Sequence, residues 1–266
     1  EVIIDINDLS KAFGDLKVLT NISTQIRKGD VVCVIGPSGS GKSTFLRSLN
    51  LLEEPTDGEI IFNGVDIEAY ENGVHGAVKR RELNIPEDAF VVGMVGRISP
   101  QKAPDIFIKM AKHVKDKVSN AHFIIVGNGD QEAEIQKYAK DNNFLDSLHI
   151  TGWVDNPMSY VELFDVACLL SRWEGFGLVL PEYMMARKPI VASRVDAIPN
   201  IICDGENGLL VEMDDVVGAS TAVLKLYLNN NLKSKLIDEG LKTVYKKFDV
   251  QRMTRETEKL FEEVTR

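Results

Sequence analysis

The sequence predicts an α/β fold in which a small N-terminal α/β fragment is followed by a doubly wound, Rossmann-like parallel sheet. Three observations predict it. The first 62 residues contain short β-rich runs bounded by turn residues, and a glycine-rich loop opens a helix within them. From about residue 90, apolar strand runs alternate with helical runs, which favours a parallel sheet covered on both faces. We therefore divide the chain into residues 1–62, a junction at 63–89 and a second domain at 90–266.

In the first segment the predicted strands are VIIDIND, KVLTNISTQI, DVVCVIG and EIIFNG. Turn residues such as Phe13-Gly14-Asp15 bound them, and a helix is predicted from about Lys42 through FLRSLNLL.

In the second segment the predicted strands are FVVGMVG, HFIIVG, SLHITG, VACLLS, PIVAS and GLLVE. Helices are predicted over PDIFIKMAKHVKDKV, DQEAEIQKYAKDN, PMSYVELF and LVLPEYMMARK, and apolar spacing predicts helices almost to the end of the chain, including VQRMTRETEKLFEEV.

The composition is that of an ordinary globular protein, with 44% hydrophobic and 27% charged residues in 266. A net charge of -9 argues against a nucleic-acid partner. Three distant cysteines predict neither a disulfide framework nor a zinc site, and no apolar run is long enough to span a membrane. We expect a cytoplasmic protein with small-molecule nucleotide ligands; the oligomeric state is left open.

Residues 36–44, GPSGSGKST, fit the phosphate-binding P-loop pattern, placed between a predicted strand and a predicted helix. Its glycines let successive backbone N–H groups face one phosphate, while Lys42 would reach the β- and γ-phosphates and Ser43 would ligate magnesium. A simple glycine-rich turn is the alternative. The candidate phosphate-binding residues are Gly36, Ser38, Gly39, Gly41, Lys42, Ser43 and Thr44.

The stretches LSKAFGDLKVLTNIS and GPSGSGKSTFLRSLNLLEEPTDGEIIFNG resemble the ATP-binding subunits of ABC transporters, especially those for polar amino acids. The resemblance implies that Phe13 stacks on adenine and that the loop binds Mg-ATP; ordinary packing of Phe13 is equally compatible. The sequence lacks the family's LSGGQ signature, its Walker B aspartate with the following glutamate, its Q-loop and its switch histidine. We therefore do not expect efficient ATP hydrolysis.

The remainder resembles the C-terminal domain of family 4 retaining glycosyltransferases, which have the GT-B fold. The resemblance rests on VVGMVGRISPQKAPDIFIKMA, FIIVGNGD, ITGWV, SRWEGFGLVLPEYMMARKPIVAS and DGENGLLV, in the family's order. It implies a nucleotide-diphosphate sugar as donor. It also implies that Arg97 and Lys102, beyond a predicted strand, bind the diphosphate and stabilise its negative charge without a metal. Outside this resemblance they would be interpreted as solvated cations.

The same resemblance implies that Glu174 contacts the transferred sugar and that Glu182 holds the ribose hydroxyls, since a carboxylate accepts two hydrogen bonds from vicinal hydroxyls. Backbone N–H groups at Phe176, Gly177 and Leu178 would point at the diphosphate. The alternative is a helix-start acidic cap for Glu174 and a solvated helix face for Glu182. No catalytic residue is named. The segment 152–154 matches the family's position near the nucleobase, and GNG at 127–129 is by default a tight turn.

A GT-B enzyme works between two domains, and the family's acceptor-binding domain is replaced here by the ABC-like fragment. We therefore expect donor binding with weak or absent transfer. The alternatives are an ATP-binding module of transporter type and an inactive chimeric scaffold. The segment IIFNGVDI is compatible with both families, so a join there would explain the lack of a flexible linker, whether the fusion is engineered, natural or a misassembled reading frame.

Overall fold

The structure is a computed structural model that describes residues 2–27, 32–37, 39–49, 56–62, 80–175 and 177–248. By their packing these residues divide into a smaller unit, which contains residues 2–62 and 245–248, and a larger unit, which contains residues 80–244.

Among its described residues up to Phe62, the smaller unit contains a three-stranded antiparallel sheet and one helix. Strands β1 (Val2–Phe13) and β2 (Leu16–Arg27) form a hairpin, and β3 (Asp57–Phe62) pairs with the other edge of β1, so the order is β2-β1-β3. Helix α1 (Lys42–Leu49) follows the glycine-rich loop. The small apolar core consists of Ile6, Leu9, Leu19, Phe45 and Leu49.

The predicted strand DVVCVIG was wrong over its described part. Residues 32–37 form no strand, and the side chains of Val32 and Ile35 are 51% and 91% exposed. An apolar run becomes a strand only when a neighbouring backbone satisfies its N–H and C=O groups. Within the described residues, the strands of this unit pair with one another and leave no partner beside 32–37. The glycine-rich loop therefore does not follow a sheet strand.

The larger unit contains a six-stranded sheet in which every neighbouring pair is parallel, as the alternation of strands and helices predicts. Its strands are apolar and buried, as expected of a sheet covered on both faces. They are β4 (Phe90–Val95), β5 (Ala121–Val126), β6 (Leu148–Ile150), β7 (Val166–Leu169), β8 (Ile190–Ser193) and β9 (Leu209–Val211).

Helices follow the strands in the predicted order, and one short helix, Ile198–Ile201, was not predicted from the sequence. They are α2 (Pro104–Lys115), α3 (Glu132–Asp141), α4 (Met158–Val161), α5 (Val179–Met185), α6 (Ile198–Ile201), α7 (Val216–Leu228) and α8 (Asn230–Lys247). Short 3₁₀ turns lie at Arg80–Leu83, Pro100–Lys102 and Leu145–Ser147. The helix predicted over VQRMTRETEKLFEEV lies outside the described residues. Among the helices that the structure describes, none combines the length and apolar character needed to cross a membrane.

The strand order β6-β5-β4-β7-β8-β9 places the first strand of this unit in the middle of the sheet. The chain runs outward from β4 to β6, then returns to β7 on the other side of β4 and runs outward again. In such sheets the loops after the two central strands diverge and leave a crevice at the carboxyl edge, where ligands bind. A ligand-binding site is therefore expected at the loops that follow β4 and β7.

Candidate functional site

The loop after β4 lies directly on the loop after β5. The amide of Ile98 donates to the carbonyl oxygen of Asn128 at 2.8 Å. A Cβ atom on Gly127 would lie 2.2 Å from the carbonyl oxygen of Gly96, and one on Gly129 would lie 2.3 Å from that of Ile98. Any side chain at these glycines would push the loops apart. The GNG segment is thus required by close backbone approach, beyond the tight turn that the sequence indicates.

Lys102 and Glu174 form an ion pair across the crevice between the loops after β4 and β7. Their side chains are only 18% and 9% exposed. The hydroxyl of Ser171 donates to the same carboxylate oxygen at 3.0 Å, and the backbone N–H of Glu174 donates to Asp196 Oδ2 at 2.8 Å. A carboxylate this buried needs such partners, because desolvation penalises its charged form. The structure therefore brings together two of the residues selected from sequence.

Arg97 lies on the other side of the same loop. Its side chain is exposed and lines an open pocket of about 540 Å³ together with Asn128, Gly129, Asp130 and Glu132 from the loop after β5. Trp153, which follows β6, is 71% exposed. Arg97 and Lys102 therefore face different neighbours, one toward β5 and the other toward β7.

Glu182 lies in the first turn of α5 and is mostly buried. Burial raises the pKa of its carboxyl from 4.5 to about 7, and no hydrogen bond from another described residue offsets this desolvation. A carboxyl in this setting is poised between its two protonation states at neutral pH. Hydroxyl groups of a ligand would supply the missing donors.

The start of α5 presents free backbone donors. Gly177 has φ of +75°, a conformation that favours glycine, and its carbonyl accepts the amide of Leu180 at 2.8 Å. Leu178 is 61% exposed. The amides of Gly177 and Leu178 donate to no group among the described residues. Phe176, the third residue selected here from sequence, lies outside the described residues.

Arg172 connects three loops at the carboxyl edge of the sheet. Its guanidinium donates to the carbonyl of Pro100 at 3.0 Å and to Asp105 at 2.8 Å, and its Nε lies 2.8 Å from Asp214. Its own amide donates to the carbonyl of Gln101 at 2.8 Å. These contacts hold the loop that carries Lys102 against the loop that carries Glu174. Sequence reasoning missed Arg172, because its partners lie far away along the chain.

Tyr183 contacts the end of β4, and sequence reasoning also missed this residue. Its ring is fully buried, and its hydroxyl accepts the N–H of Val95 at 2.8 Å, at the end of β4. This hydrogen bond fixes the point where the strand gives way to the loop with Arg97. A tyrosine on the buried face of α5 carries no sequence signal that separates it from ordinary core packing.

In the smaller unit, the glycine-rich loop is folded onto its own lysine. Lys42 Nζ donates to the carbonyl oxygens of Gly36 at 2.7 Å and Pro37 at 2.5 Å. Gly39 and Gly41 have φ of +81° and +83°. Because the lysine is held by loop carbonyls and the preceding segment is not in a sheet, this arrangement does not fit a bound magnesium nucleotide.

The other residues selected in the smaller unit show no common site. Ser43 is exposed and Thr44 half-buried at the start of α1, while Ser38 lies outside the described residues. Phe13 is 47% exposed, with the ammonium of Lys11 5.0 Å above its ring. Within the described residues, no three His, Cys, Asp or Glu side chains are grouped so as to hold a metal ion.

Comparison with known proteins decides the family. The sequence matches the family described as glycosyl transferases group 1 over residues 77–243, which is more than half of the chain. The chain belongs to this family. Among curated group 1 relatives, it is 27% identical over 199 residues to the UDP-Gal:alpha-D-GlcNAc-diphosphoundecaprenol alpha-1,3-galactosyltransferase of Escherichia coli, covering 71% of this chain and 51% of that protein. It is 30% identical over 209 residues to an uncharacterized glycosyltransferase of Methanocaldococcus jannaschii, covering 77% and 54%. The chain thus spans about half the length of these relatives.

Solved structures show the same fold. The C-terminal domain of the group 1 glycosyl transferase LpcC from Francisella tularensis has a TM-score of 0.61 and 25% identity, over 70% of this chain and 99% of that domain. HepE of Anabaena in complex with UDP has a TM-score of 0.67 and 19% identity, over 76% and 57%. The larger unit therefore has the fold of glycosyltransferases with the GT-B architecture.

A separate, short match covers the start of the chain. Over 64 residues it is 61% identical to the arginine transport ATP-binding protein ArtM of Bacillus subtilis, which is 24% of this chain and 27% of that protein. The identity is high, but it extends over only about a quarter of either sequence.

Proposed function

We propose that the larger unit binds a nucleotide-diphosphate sugar at the carboxyl edge of its sheet, as the donor half of a retaining glycosyltransferase. The observation that carries this proposal is the buried Lys102–Glu174 pair in the crevice between β4 and β7, in a chain of the group 1 family. Membership of that family supports a nucleotide-sugar ligand, and the crevice is where a sheet of this order binds ligands.

In this proposal two cations meet the diphosphate from opposite sides. Arg97 approaches from the open pocket beside β5, and Lys102 from the crevice beside β7. The amides of Gly177 and Leu178, with Phe176, add backbone donors at the start of α5. Fixed cations and dipoles of this kind stabilise the negative charge that develops on a departing diphosphate, so no metal ion is required.

The two glutamates bind the hydroxyl groups at either end of the donor. Glu174, held by Lys102 and Ser171, faces the sugar. Glu182 binds the ribose, whose vicinal hydroxyls replace the hydrogen bonds that its buried carboxyl lacks. Donor binding then stabilises the charged form of Glu182 and lowers its pKa from about 7.

Transfer of the sugar needs an acceptor held against the donor, and the GT-B architecture supplies it from a second domain. We propose that this chain by itself binds the donor and transfers it weakly or not at all. We also propose residues 1–62 as an ABC-like fragment, 63–89 as a junction and 90–266 as the donor domain. The hypothesis of one shared strand over residues 60–67 concerns a segment that, beyond Phe62, lies outside the described residues.

Calorimetric titration of the purified chain with UDP-glucose, GDP-mannose and Mg-ATP tests the proposal. We expect one nucleotide sugar to bind, and Glu174→Gln to weaken binding about tenfold or more, because a charge-assisted hydrogen bond contributes roughly 1.5–3 kcal/mol. Glu239→Gln, the same substitution at an exposed ion pair on α8, is the matched control and should bind as the wild type does. Equal affinity in both variants, or no binding of any nucleotide sugar, would refute the donor site.

Magnesium-ATP binding at the glycine-rich loop is the second candidate, favoured by the GPSGSGKST motif and the match to ArtM. The hydrogen bonds between Lys42 and its own loop weigh against it. Heat released on titration with Mg-ATP and abolished by Lys42→Ala, with no response to nucleotide sugars, would move the function to the smaller unit. An absence of any ligand response would indicate an inactive chimera.

A further inference from the structure

A second pocket lies at the edge of the sheet opposite the donor crevice. It has a volume of about 300 Å³, and its lining comes from the segments that enter β7 and β8 and from the first two turns of α8. Asp165 and Pro189 precede these strands directly. Because the strands are parallel, their amino ends lie at the opposite edge from their carboxyl ends, so this pocket is separate from the site with Lys102 and Glu174.

Five of the nine residues that line the pocket carry side-chain hydrogen-bond donors, and the one acidic residue among the nine is Asp165. Arg187, Lys188 and Lys233 supply three cations, and Asn230 and Ser234 add an amide and a hydroxyl. The 18-residue helix α8 begins at Asn230, so its dipole adds partial positive charge at the same place. In a chain whose net charge is -9, such a grouping is a local reversal of sign.

Asp165, which lines the pocket, and the nearby Glu162 already interact with other groups of the protein. Asp165 lies 3.6 Å from the guanidinium of Arg80 and accepts the N–H of Val91 at 2.8 Å. Glu162, the other nearby carboxylate, acts on Lys188 together with Asp165. The lining itself carries three cations and one carboxylate, so the balance of charge at the pocket is positive.

Two of the cations, Lys188 and Arg187, are in energetically unfavourable positions, the first through desolvation and the second through its backbone conformation. Lys188 is largely buried, and desolvation lowers the pKa of its ammonium; the one hydrogen bond that this group makes within the described part of the chain is to the carbonyl of Glu162, at 2.8 Å. Arg187 has φ of +55°, the left-handed conformation that glycine adopts with less strain. A bound anion would offset the desolvation of Lys188 and make use of the guanidinium that the strained position presents.

We propose that this pocket binds a phosphate group, as a free phosphate ester or as the headgroup of an anionic lipid. A phosphate presents several acceptor oxygens, which matches a guanidinium, two ammonium groups and two polar side chains around one cavity. The site is independent of the donor site proposed above. Its ligand differs from the nucleotide sugar in needing no base or sugar recognition.

The test is a titration of the full chain with inorganic phosphate at constant pH and ionic strength, with chloride as the reference. Cosedimentation with vesicles of phosphatidic acid in phosphatidylcholine, against phosphatidylcholine alone, is the second arm. The decisive variant is Arg187→Gly, which removes the cation and relieves the left-handed strain. We expect a melting temperature at or above that of the wild type and phosphate affinity at least about tenfold weaker. Lys233→Ala should weaken binding similarly.

Arg97→Ala is the matched control, because it removes an exposed cation from the donor site and leaves this pocket intact. Phosphate or vesicle binding that is lost in Arg187→Gly and Lys233→Ala but kept in Arg97→Ala supports the proposal, and the arm that responds identifies the source of the phosphate. Binding lost in Arg97→Ala and kept in Arg187→Gly overturns it. So does a wild-type chain that responds to neither phosphate nor phosphatidic acid.

Discussion

Glu182→Gln should make the protein more stable and at the same time impair donor binding. The side chain is mostly buried, and burial raises its pKa from 4.5 to about 7. A shift of about 2.5 units at roughly 1.4 kcal/mol per unit corresponds to about 3 kcal/mol. That free energy is the cost of keeping the carboxylate charged in the folded protein, and glutamine, which has nearly the same shape and no charge, removes it.

The sign of the effect fixes its pH dependence. Below pH 4.5 the carboxyl is protonated in both states, and Glu182 and glutamine should be nearly equivalent. Between pH 4.5 and about 7 the unfolded chain releases the proton while the folded protein keeps it, so the wild type loses stability relative to Glu182→Gln as pH rises. Above about pH 7 the full difference of about 3 kcal/mol in favour of the variant is present.

Urea denaturation of the wild type and Glu182→Gln at pH 4.5, 6 and 8 measures this difference directly, and other titrating groups cancel because they are common to both proteins. Calorimetric titration with the nucleotide sugar at pH 8 gives the second half of the prediction, at least about tenfold weaker binding. A variant equal to or less stable than the wild type at pH 8 would refute the desolvation argument. Unchanged donor affinity would refute the proposed contact with ribose.

Three further predictions concern the framework of the same domain. Gly129→Ala forces its Cβ against the carbonyl of Ile98, and should cost about 1–3 kcal/mol in urea denaturation while weakening donor binding; unchanged values would show that the two loops separate freely. Tyr183→Phe leaves the N–H of Val95 without its acceptor, and should cost about 1–3 kcal/mol and speed hydrogen exchange at that amide; unaltered exchange would contradict it. Burial lowers the pKa of His149 from 6.5 to about 4, so the wild type should lose stability relative to His149→Gln as pH drops through that window, because the unfolded chain takes up the proton first. Urea denaturation of both proteins at pH 4 and pH 7 measures this difference, and a difference in the free energy of unfolding that does not change with pH would contradict the prediction.

The parallel sheet could be predicted because its strands and helices alternate in the sequence, whereas the order of the strands in the sheet was not predicted. The strand prediction for the segment 32–37 was wrong. Its sequence is that of a buried strand, but strand formation depends on neighbours that are distant in the chain, and the described part of the small unit offers none. The local sequence alone does not show whether a neighbouring strand is present for the segment to pair with.

The residues of the candidate site also fall into two groups, those that sequence motifs indicate and those that only the structure reveals. Lys102, Glu174 and Glu182 stand in recognisable motifs, so the sequence selected them as candidates before any geometry was known. Arg172 and Tyr183 act through contacts with residues 42 to 88 positions away, and no short pattern contains both partners. The glycines at 127 and 129 were visible, but only the structure shows that they face carbonyl oxygens of another loop.

The central position of β4 has a consequence for the order in which this domain is assembled. Strand β4 joins β5 after one helix, whereas its pairing with β7 must close a segment of about 70 residues, and Lys102 and Glu174 are 72 positions apart. Closing so long a loop costs chain entropy before any contact repays it, so we expect the β4–β7 contacts to form late in folding. A chain still emerging during synthesis would already hold half of the crevice but have no Glu174 to complete it. Binding of the nucleotide sugar would then require that β7 has already paired with β4, so that the two halves of the sheet are joined.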